Sequence, residues 1–164
     1  MSPVVVDAAF AGAWLLPDEH SRAADKILRS ILGQRLELAV PDLWFYELMN
    51  LLVSARRRKR IGEEQVFEAH RLIDTIPCRS YEQQTPLARD RISRLALRFG
   101  LSAYAAACIE LADRLQCPLL TFDRDLNRAA STLGLGQSPR SPSPNVAGRP
   151  LSARHRCVMR RCVP

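Results

Sequence analysis

The chain has 164 residues, of which 47% are hydrophobic and 25% are charged, and its formal net charge is +7. This length suits one domain with a sizeable core, and the composition is that of a globular protein rather than of a fibrous or wholly disordered chain. No run approaches the ~18 uninterrupted apolar residues of a membrane-spanning helix. The apolar N-terminal stretch has no basic leading segment and contains Asp7, so we expect no signal peptide and a cytoplasmic protein.

The positive charge is concentrated at the C-terminus. Residues 136–164 contain six arginines and no acidic residue, whereas the preceding part carries 18 basic and 17 acidic residues. The segment "SPRSPSPNVAGRP" is too poor in apolar residues to build a core. We therefore expect a folded domain over 1–135 and a disordered, Pro/Arg-rich basic tail over 136–164. The five cysteines form no CxxC pair, which is typical of reduced cytosolic thiols.

Extended and helical patterns alternate along the first 135 residues. β-branched or apolar runs predict strands, and apolar residues at helical spacing predict helices between them. Asp42, Thr85 and Ser102 each stand where a helix N-cap is expected. In chain order we expect a strand over 3–7, a helix over 18–34, a strand over 36–41, helices over 42–62 and 62–77, a strand over 78–82, helices over 85–100 and 102–116, a strand over 117–123 and a helix over 124–134. Strands separated by helices indicate a parallel sheet covered on both faces.

Three acidic residues are expected to meet at one edge of this sheet. Asp7 closes "VVVD" and Asp123 closes "LLTFD", and groups that follow parallel strands collect beyond their carboxyl ends. Glu47 lies in the strongly apolar stretch "LWFYELMNLL", where a carboxylate is costly unless a cation meets it. Carboxylates without histidine or cysteine beside them suit Mg²⁺ or Mn²⁺, which can activate a water for attack on a phosphodiester.

Structural roles also explain each of these acids taken alone. An Asp after a strand is often a turn former or a helix N-cap, and Asp123 stands directly before the helix expected from Arg124. Glu47 alone could pair with an arginine of another helix. The functional interpretation depends on the three acids as a set.

Four sequence blocks resemble, in order and spacing, those of PIN-domain proteins of the VapC toxin type. They are "VVVDAAFAGAWLLPDE", "VPDLWFYELMNLL", "LSAYAAACIELA" and "PLLTFDRDL", and together they extend over residues 3–135. The resemblance implies a three-layer α/β/α sandwich around a parallel sheet and a divalent-metal endoribonuclease. It also implies a homodimer and a small VapB-like antitoxin whose C-terminal segment enters the active-site groove.

By motif position, the resemblance implies particular roles for individual residues. Asp7, Glu47 and Asp123 match the metal-binding catalytic acids, and Asn50 and Thr121 match positions that support them. Asp125 is a weaker metal-site candidate, since capping the following helix explains it equally well.

The third block departs from the family pattern. An acidic residue usually follows its tyrosine, but Ala105 stands there in this chain. Glu110 lies five residues later, about 140° around the helix at 100° per residue, so we expect it on an exposed face away from the groove. No nearby acid replaces the missing one, and we expect weaker metal binding and an inactivated or degenerate nuclease.

The basic run Arg56, Arg57, Arg58, Lys59 and Arg60 ends the helix that carries Glu47. Such a run is favourable at a helix C-terminus because of the helix dipole, and it could equally contact RNA phosphates beside the active site.

Two functional hypotheses follow. The first is a Mg²⁺- or Mn²⁺-dependent endoribonuclease toxin of a toxin–antitoxin pair, in a form inactivated or degenerate at Ala105. The second is a catalytically dead PIN-like module that binds an antitoxin or RNA. A nucleotide-binding α/β domain has no support, because neither GxGxxG nor GxxxxGK[ST] occurs.

Overall fold

A computed structural model of the chain describes residues 1–136, so the tail predicted for 136–164 lies, except for Gly136, outside the described residues. Four parallel strands form one sheet in the order β3-β2-β1-β4. The strands are β1 (Ser2–Val6), β2 (Leu36–Pro41), β3 (Cys78–Tyr81) and β4 (Leu119–Leu120). The helices are α1 (Ala8–Leu15), α2 (Arg22–Leu32), α3 (Trp44–Arg57), α4 (Glu63–Thr75), α5 (Pro86–Phe99), α6 (Ala103–Leu115) and α7 (Arg124–Thr132), with a 3₁₀ turn at Pro17–Glu19.

The sheet separates two apolar clusters, as expected for a three-layer α/β/α sandwich. In β1, Val4 and Val6 belong to one cluster and Val5 to the other, because side chains alternate across a strand. The first cluster contains buried residues of α1 to α4, and the second contains those of α6 and α7. The predicted fold class is therefore confirmed.

Local patterns predicted several element limits correctly. β2 has the predicted bounds of 36–41. The side chains of Thr85 and Ser102 cap α5 and α6, each accepting a 3.2 Å hydrogen bond from the backbone N–H three residues later. In both helices the hydroxyl satisfies a donor that the first turn leaves without a partner.

Other predicted limits were wrong. The helix predicted over 18–34 begins only at Arg22, after the 3₁₀ turn. Asp42 is not the N-cap of α3, because its Oδ1 accepts from the N–H of Leu43 and the helix begins at Trp44. The strand predicted over 117–123 is reduced to Leu119–Leu120.

Helix α1 was not predicted. Seven of its eight residues are buried, so its sequence is apolar on every side and lacks the one-sided spacing that identifies a surface helix. It lies directly after β1, and its first turn fixes the position of Asp7.

In the part of the chain described here, no single helix is long and apolar enough to cross a membrane. Taken together, α5 and α6 have the length and apolar composition of a membrane span, but the two helices are bent by 115° relative to each other.

Candidate active site

Asp7 follows β1 and caps α1. Its Oδ1 accepts a 2.7 Å hydrogen bond from the N–H of Phe10, and its Oδ2 accepts a 2.5 Å hydrogen bond from the hydroxyl of Thr121. The residue is only 6% exposed. Burial raises its pKa to about 6, even though these two hydrogen bonds favour the charged form. Asp7 is thus the N-cap of α1 and, at the same time, a buried carboxyl group with a raised pKa.

Glu47 lies in the first turn of α3 and is half-buried. Burial, followed by the negative charge of Asp7, raises its pKa to about 7. No hydrogen bond or ion pair joins the side chain of Glu47 to another residue within 1–136, so the alternative of an arginine partner finds no support there. Asp7 and Glu47 therefore form a pair of neighbouring carboxylates that no arginine or lysine of residues 1–136 compensates.

Thr121 connects the end of β4 to the end of β1. Its buried hydroxyl donates to Asp7 and accepts a 2.9 Å hydrogen bond from the N–H of Asp123. Asp123 itself is exposed, and its Oδ1 accepts from the N–H groups of Asp125 and Leu126 at 2.8 Å each. This carboxylate is thus the N-cap of α7, and its charge contributes to the raised pKa of Asp7.

The other candidate residues lie at the surface. Asp125 is exposed and pairs with Arg128 in the first turn of α7. Asn50 is exposed one helical turn after Glu47, and its side chain makes no hydrogen bond with another residue of 1–136. Neither residue is bonded to Asp7 or Glu47.

The three predicted catalytic acids do not form a complete metal-binding cluster. Asp7 is coupled electrostatically to both Glu47 and Asp123, but within residues 1–136 no three acidic, histidine or cysteine side chains are placed to hold a metal ion. Asp123 directs one oxygen to the N-terminus of α7, and Ala105 contributes no carboxylate. Asp7 and Glu47 carry oxygen donors that fit Mg²⁺ or Mn²⁺, since a bound cation would offset their unfavourable charges, and Oδ2 of Asp123 accepts no hydrogen bond within residues 1–136.

Helix α6 presents Ala105 and Cys108 on one side, one turn apart. Cys108 is fully buried, and burial together with the charges of Asp7 and Glu47 raises the pKa of its thiol well above the usual value. This side of α6 therefore faces the carboxylate pair, and half-buried Ala105 stands in the first turn on the same side. Helical spacing places Cys108 at the i+3 position of Ala105, where its thiol does not suit Mg²⁺, but the sequence carries no signal of its burial beside the two acids.

The expectation for Glu110 was wrong. Its side chain is only 1% exposed and accepts a 2.5 Å hydrogen bond from Nε2 of the buried Gln83. Arg114, one turn later on α6, lies 3.3 Å from its other oxygen. Glu110 thus belongs to a buried polar network between α6 and the segment after β3.

The basic run divides into two parts. Arg60 pairs with Asp18 at 2.7 Å and with Glu19 at 2.5 Å, which connects the end of α3 to the 3₁₀ turn. The other four members, Arg56 to Lys59, are exposed, and none of them has an ion pair with another residue of 1–136. Four of the five candidate residues can therefore contact RNA phosphates without breaking an ion pair, whereas Arg60 already forms ion pairs within the domain.

Residues 4–131 match the family model of the PIN domain. The chain belongs to the PIN-domain family. It is 32% identical over 127 residues to a protein named Ribonuclease VapC3 from Pyrobaculum aerophilum, a match that covers 75% of this chain and 91% of the relative. This PIN domain is of the VapC type.

Solved structures agree with this fold. The crystal structure of PAE2754 from Pyrobaculum aerophilum has a TM-score of 0.55 and 21% identity, with 77% of this chain and 78% of that chain covered. That of Mycobacterium tuberculosis VapC20, a toxin described as cleaving the Sarcin-Ricin loop, has a TM-score of 0.59 and 17% identity, covering 85% of this chain and 99% of that chain. At these identities the two structures support the three-layer fold of this PIN domain.

Proposed function

We propose that this PIN domain is the divalent-metal-dependent endoribonuclease toxin of a toxin–antitoxin pair, with activity reduced or lost through Ala105. The observation that carries the proposal is the pair Asp7 and Glu47. Both carboxylates are buried or half-buried at the carboxyl edge of the sheet, both have a raised pKa, and neither pairs with an arginine or lysine within residues 1–136. Perturbed carboxyl groups gathered at such an edge are typical of functional sites.

The chain's own residues prepare this site in distinct ways. Asp7 and Glu47 would hold Mg²⁺ or Mn²⁺, which when bound supplies a water activated for attack on the phosphodiester and stabilises the developing charge. Thr121 and the N–H of Phe10 fix the two oxygens of Asp7. Asp123 adds negative charge beside Asp7. Asn50 and Asp125 lie exposed near these acids in the sequence, and Asp125 is the weaker of the two as a candidate for the metal site.

The partners proposed for this domain follow from the same family. A VapB-like antitoxin would occupy the groove beside Asp7 and Glu47, and RNA would be the substrate in the cytoplasm. A homodimer is supported by an exposed apolar stripe on α3, formed by Tyr46, Met49 and Val53 at positions i, i+3 and i+7. We propose that residues 1–135 form the domain that carries these functions.

A second candidate function rests on Ala105. A PIN-like module without catalysis would still bind an antitoxin or RNA through the same groove, because binding does not need a complete set of metal ligands. Mutating a residue that hydrogen-bonds to a metal ligand typically weakens metal binding ~10–100-fold, and losing a ligand carboxylate itself should weaken it more.

The deciding experiment compares the natural chain with Ala105→Asp. Each protein is incubated with RNA with and without Mg²⁺ or Mn²⁺, and the metal-dependent rise in melting temperature is recorded in parallel. Ala103→Asp is the matched control, since it adds the same charge to the same turn of α6 about 200° around the helix. We expect Ala105→Asp alone to gain cleavage and a larger metal-dependent stabilisation.

The possible outcomes separate the two functions. If folded Ala105→Asp neither cuts RNA nor gains stability from the metal, the nuclease proposal is wrong. If it gains neither while both forms still bind RNA or the antitoxin, the binding module is the better description.

A further inference from the structure

Tyr104 is an exposed aromatic residue at the carboxyl edge of the sheet. It lies in the first turn of α6. Because β4 begins shortly after α6 ends, the last turn of α6 lies at the amino edge of the parallel sheet and its first turn at the carboxyl edge. This is the edge at which Asp7 follows β1 and Glu47 begins α3.

The position of Tyr104 on α6 places it beside the carboxylate pair. Tyr104 and Cys108 are related as i and i+4, so they share one side of the helix. Cys108 is buried in the same apolar cluster as Val5 of β1 and Ala39 of β2, and α6 packs directly against both strands. Tyr104 therefore lies one helical turn closer than Cys108 to the carboxyl edge, where Asp7 follows β1 and Glu47 begins α3.

The ring of Tyr104 is open to a ligand. Its side chain is 51% exposed and makes no ring contact or hydrogen bond with another residue of 1–136. Its sequence neighbours Ala103 and Ala105 and its i+3 neighbour Ala107 have side chains too short to cover the ring. Tyr81, by contrast, has the guanidinium groups of Arg79 and Arg114 over its ring.

A single isolated ring suits a nucleobase better than a protein surface. Tyr104 is the one large apolar side chain of α6 that is exposed in the structure of residues 1–136, whereas a protein partner needs a contiguous apolar patch such as the α3 stripe. One aromatic face stacks on one unpaired base, and such stacking tolerates any base because every base has a π face.

We propose that Tyr104 is a substrate-positioning residue that stacks on an unpaired base next to the phosphodiester held over Asp7 and Glu47. The inference rests on the proposed ribonuclease function and specifies how its substrate is held. It requires single-stranded or unpaired RNA at the site, because a base in a continuous duplex cannot present its face to the ring.

The test measures RNA binding rather than cleavage. A fluorescent, unstructured oligoribonucleotide is titrated with the full chain in EDTA, and the dissociation constant is read from fluorescence anisotropy. Tyr104→Leu removes the ring and Tyr104→Phe keeps it. Phe67→Leu is the matched control, since Phe67 is 55% exposed on α4, away from the carboxylate pair.

We expect Tyr104→Leu to weaken binding by about 5- to 150-fold, the range for loss of one base–aromatic stack. Tyr104→Phe and Phe67→Leu should stay within about twofold of the natural chain. With an abasic oligoribonucleotide of the same length, the natural chain should bind as weakly as Tyr104→Leu, because the backbone remains but no base can stack.

Three results would overturn the inference. The first is that Tyr104→Leu and the natural chain bind the oligoribonucleotide equally well. The second is that Tyr104→Leu weakens binding to abasic RNA as much as binding to RNA with bases. The third is that Tyr104→Leu weakens binding of the antitoxin but not of RNA. A natural chain that binds no RNA under any of these conditions would contradict the proposed function as well, so failure of one proposal is distinguished from failure of both.

Discussion

The hydroxyl of Thr121 donates a 2.5 Å hydrogen bond to Oδ2 of Asp7, joining two residues 114 positions apart in the chain. Both groups are buried, and the same hydroxyl accepts from the N–H of Asp123. This one side chain therefore orients Asp7 and holds the start of α7 against the end of β1. It is a specific link between the two strand ends that carry the site.

Thr121→Val should remove this link while preserving the shape of the side chain. We expect a loss of about 1–3 kcal/mol in the free energy of unfolding, because the buried Asp7 carboxylate loses a donor. The pKa of Asp7 should rise further, since this hydrogen bond lowers it. Urea denaturation measures the stability, and NMR titration of the carboxyl group measures the pKa.

Thr75→Val is the control, because the Thr75 hydroxyl bonds only to the carbonyl of Leu72 on exposed α4. Thr121→Ser should retain most of the stability. Equal stability of Thr121→Val and the natural chain would show that the hydrogen bond contributes little.

The raised pKa values of Asp7 and Glu47 predict how stability depends on pH in the absence of metal. They rise to about 6 and about 7, from 3.8 and 4.5. At a pH between the ordinary and the raised pKa of either group, the folded state binds more protons than the unfolded state. The contribution of both groups to stability therefore falls as the pH rises from about 4 to about 7. Denaturant titrations in EDTA across this range measure the slope.

Glu47→Gln should flatten this slope and raise the melting temperature of the metal-free protein near pH 8 by a few degrees, roughly the effect of 1 kcal/mol. Mg²⁺ should stabilise the natural chain more at pH 8 than at pH 5.5, because ligand carboxylates must be ionised. The control is Glu64→Gln in the exposed first turn of α4. An unchanged slope in Glu47→Gln would contradict the electrostatic description.

The division of the basic run predicts two different phenotypes. Arg60→Gln removes the pairs with Asp18 and Glu19 and should cost about 1 kcal/mol of stability or less, since these groups are partly exposed. It should leave the salt dependence of RNA binding nearly unchanged. Joint replacement of Arg56, Arg57, Arg58 and Lys59 by Gln should leave stability unchanged. It should reduce the slope of the logarithm of the RNA-binding constant against the logarithm of the salt concentration by up to about 3. Identical effects of the two variants would contradict this division.

The sequence predicted the fold because its signals were local. β-branched or apolar runs marked β1, β2 and β4, and the hydroxyls of Thr85 and Ser102 marked two helix starts that the structure confirms. Helix α1 gave no such signal because it is buried on nearly every side. Its surroundings, and not its own pattern, make it a helix.

For the site, local patterns supplied the positions of the acids and one side-chain role, but not the burial of the acids. Asp7 and Asp123 follow strands as expected, and the charges of Asp7 and Glu47 interact. Asp123 caps α7, the structural role that its place before Arg124 had offered. The burial of Glu110 was unpredictable from helical spacing, because it depends on Gln83, which a distant segment brings against α6.

Glu110 therefore gives a final prediction about stability. Its carboxylate accepts from Gln83 and pairs with Arg114, and Gln83 also donates a 2.9 Å hydrogen bond to the carbonyl of Ala107. Glu110→Ala should cost about 3–5 kcal/mol, because it leaves buried Gln83 short of an acceptor, creates a cavity and leaves Arg114 without its partner. Glu110→Gln should cost less, since an amide oxygen can still accept from Gln83. Glu68→Ala on the exposed side of α4 is the control, and equal stability of the two alanine variants in urea would show that the buried network does not stabilise the fold.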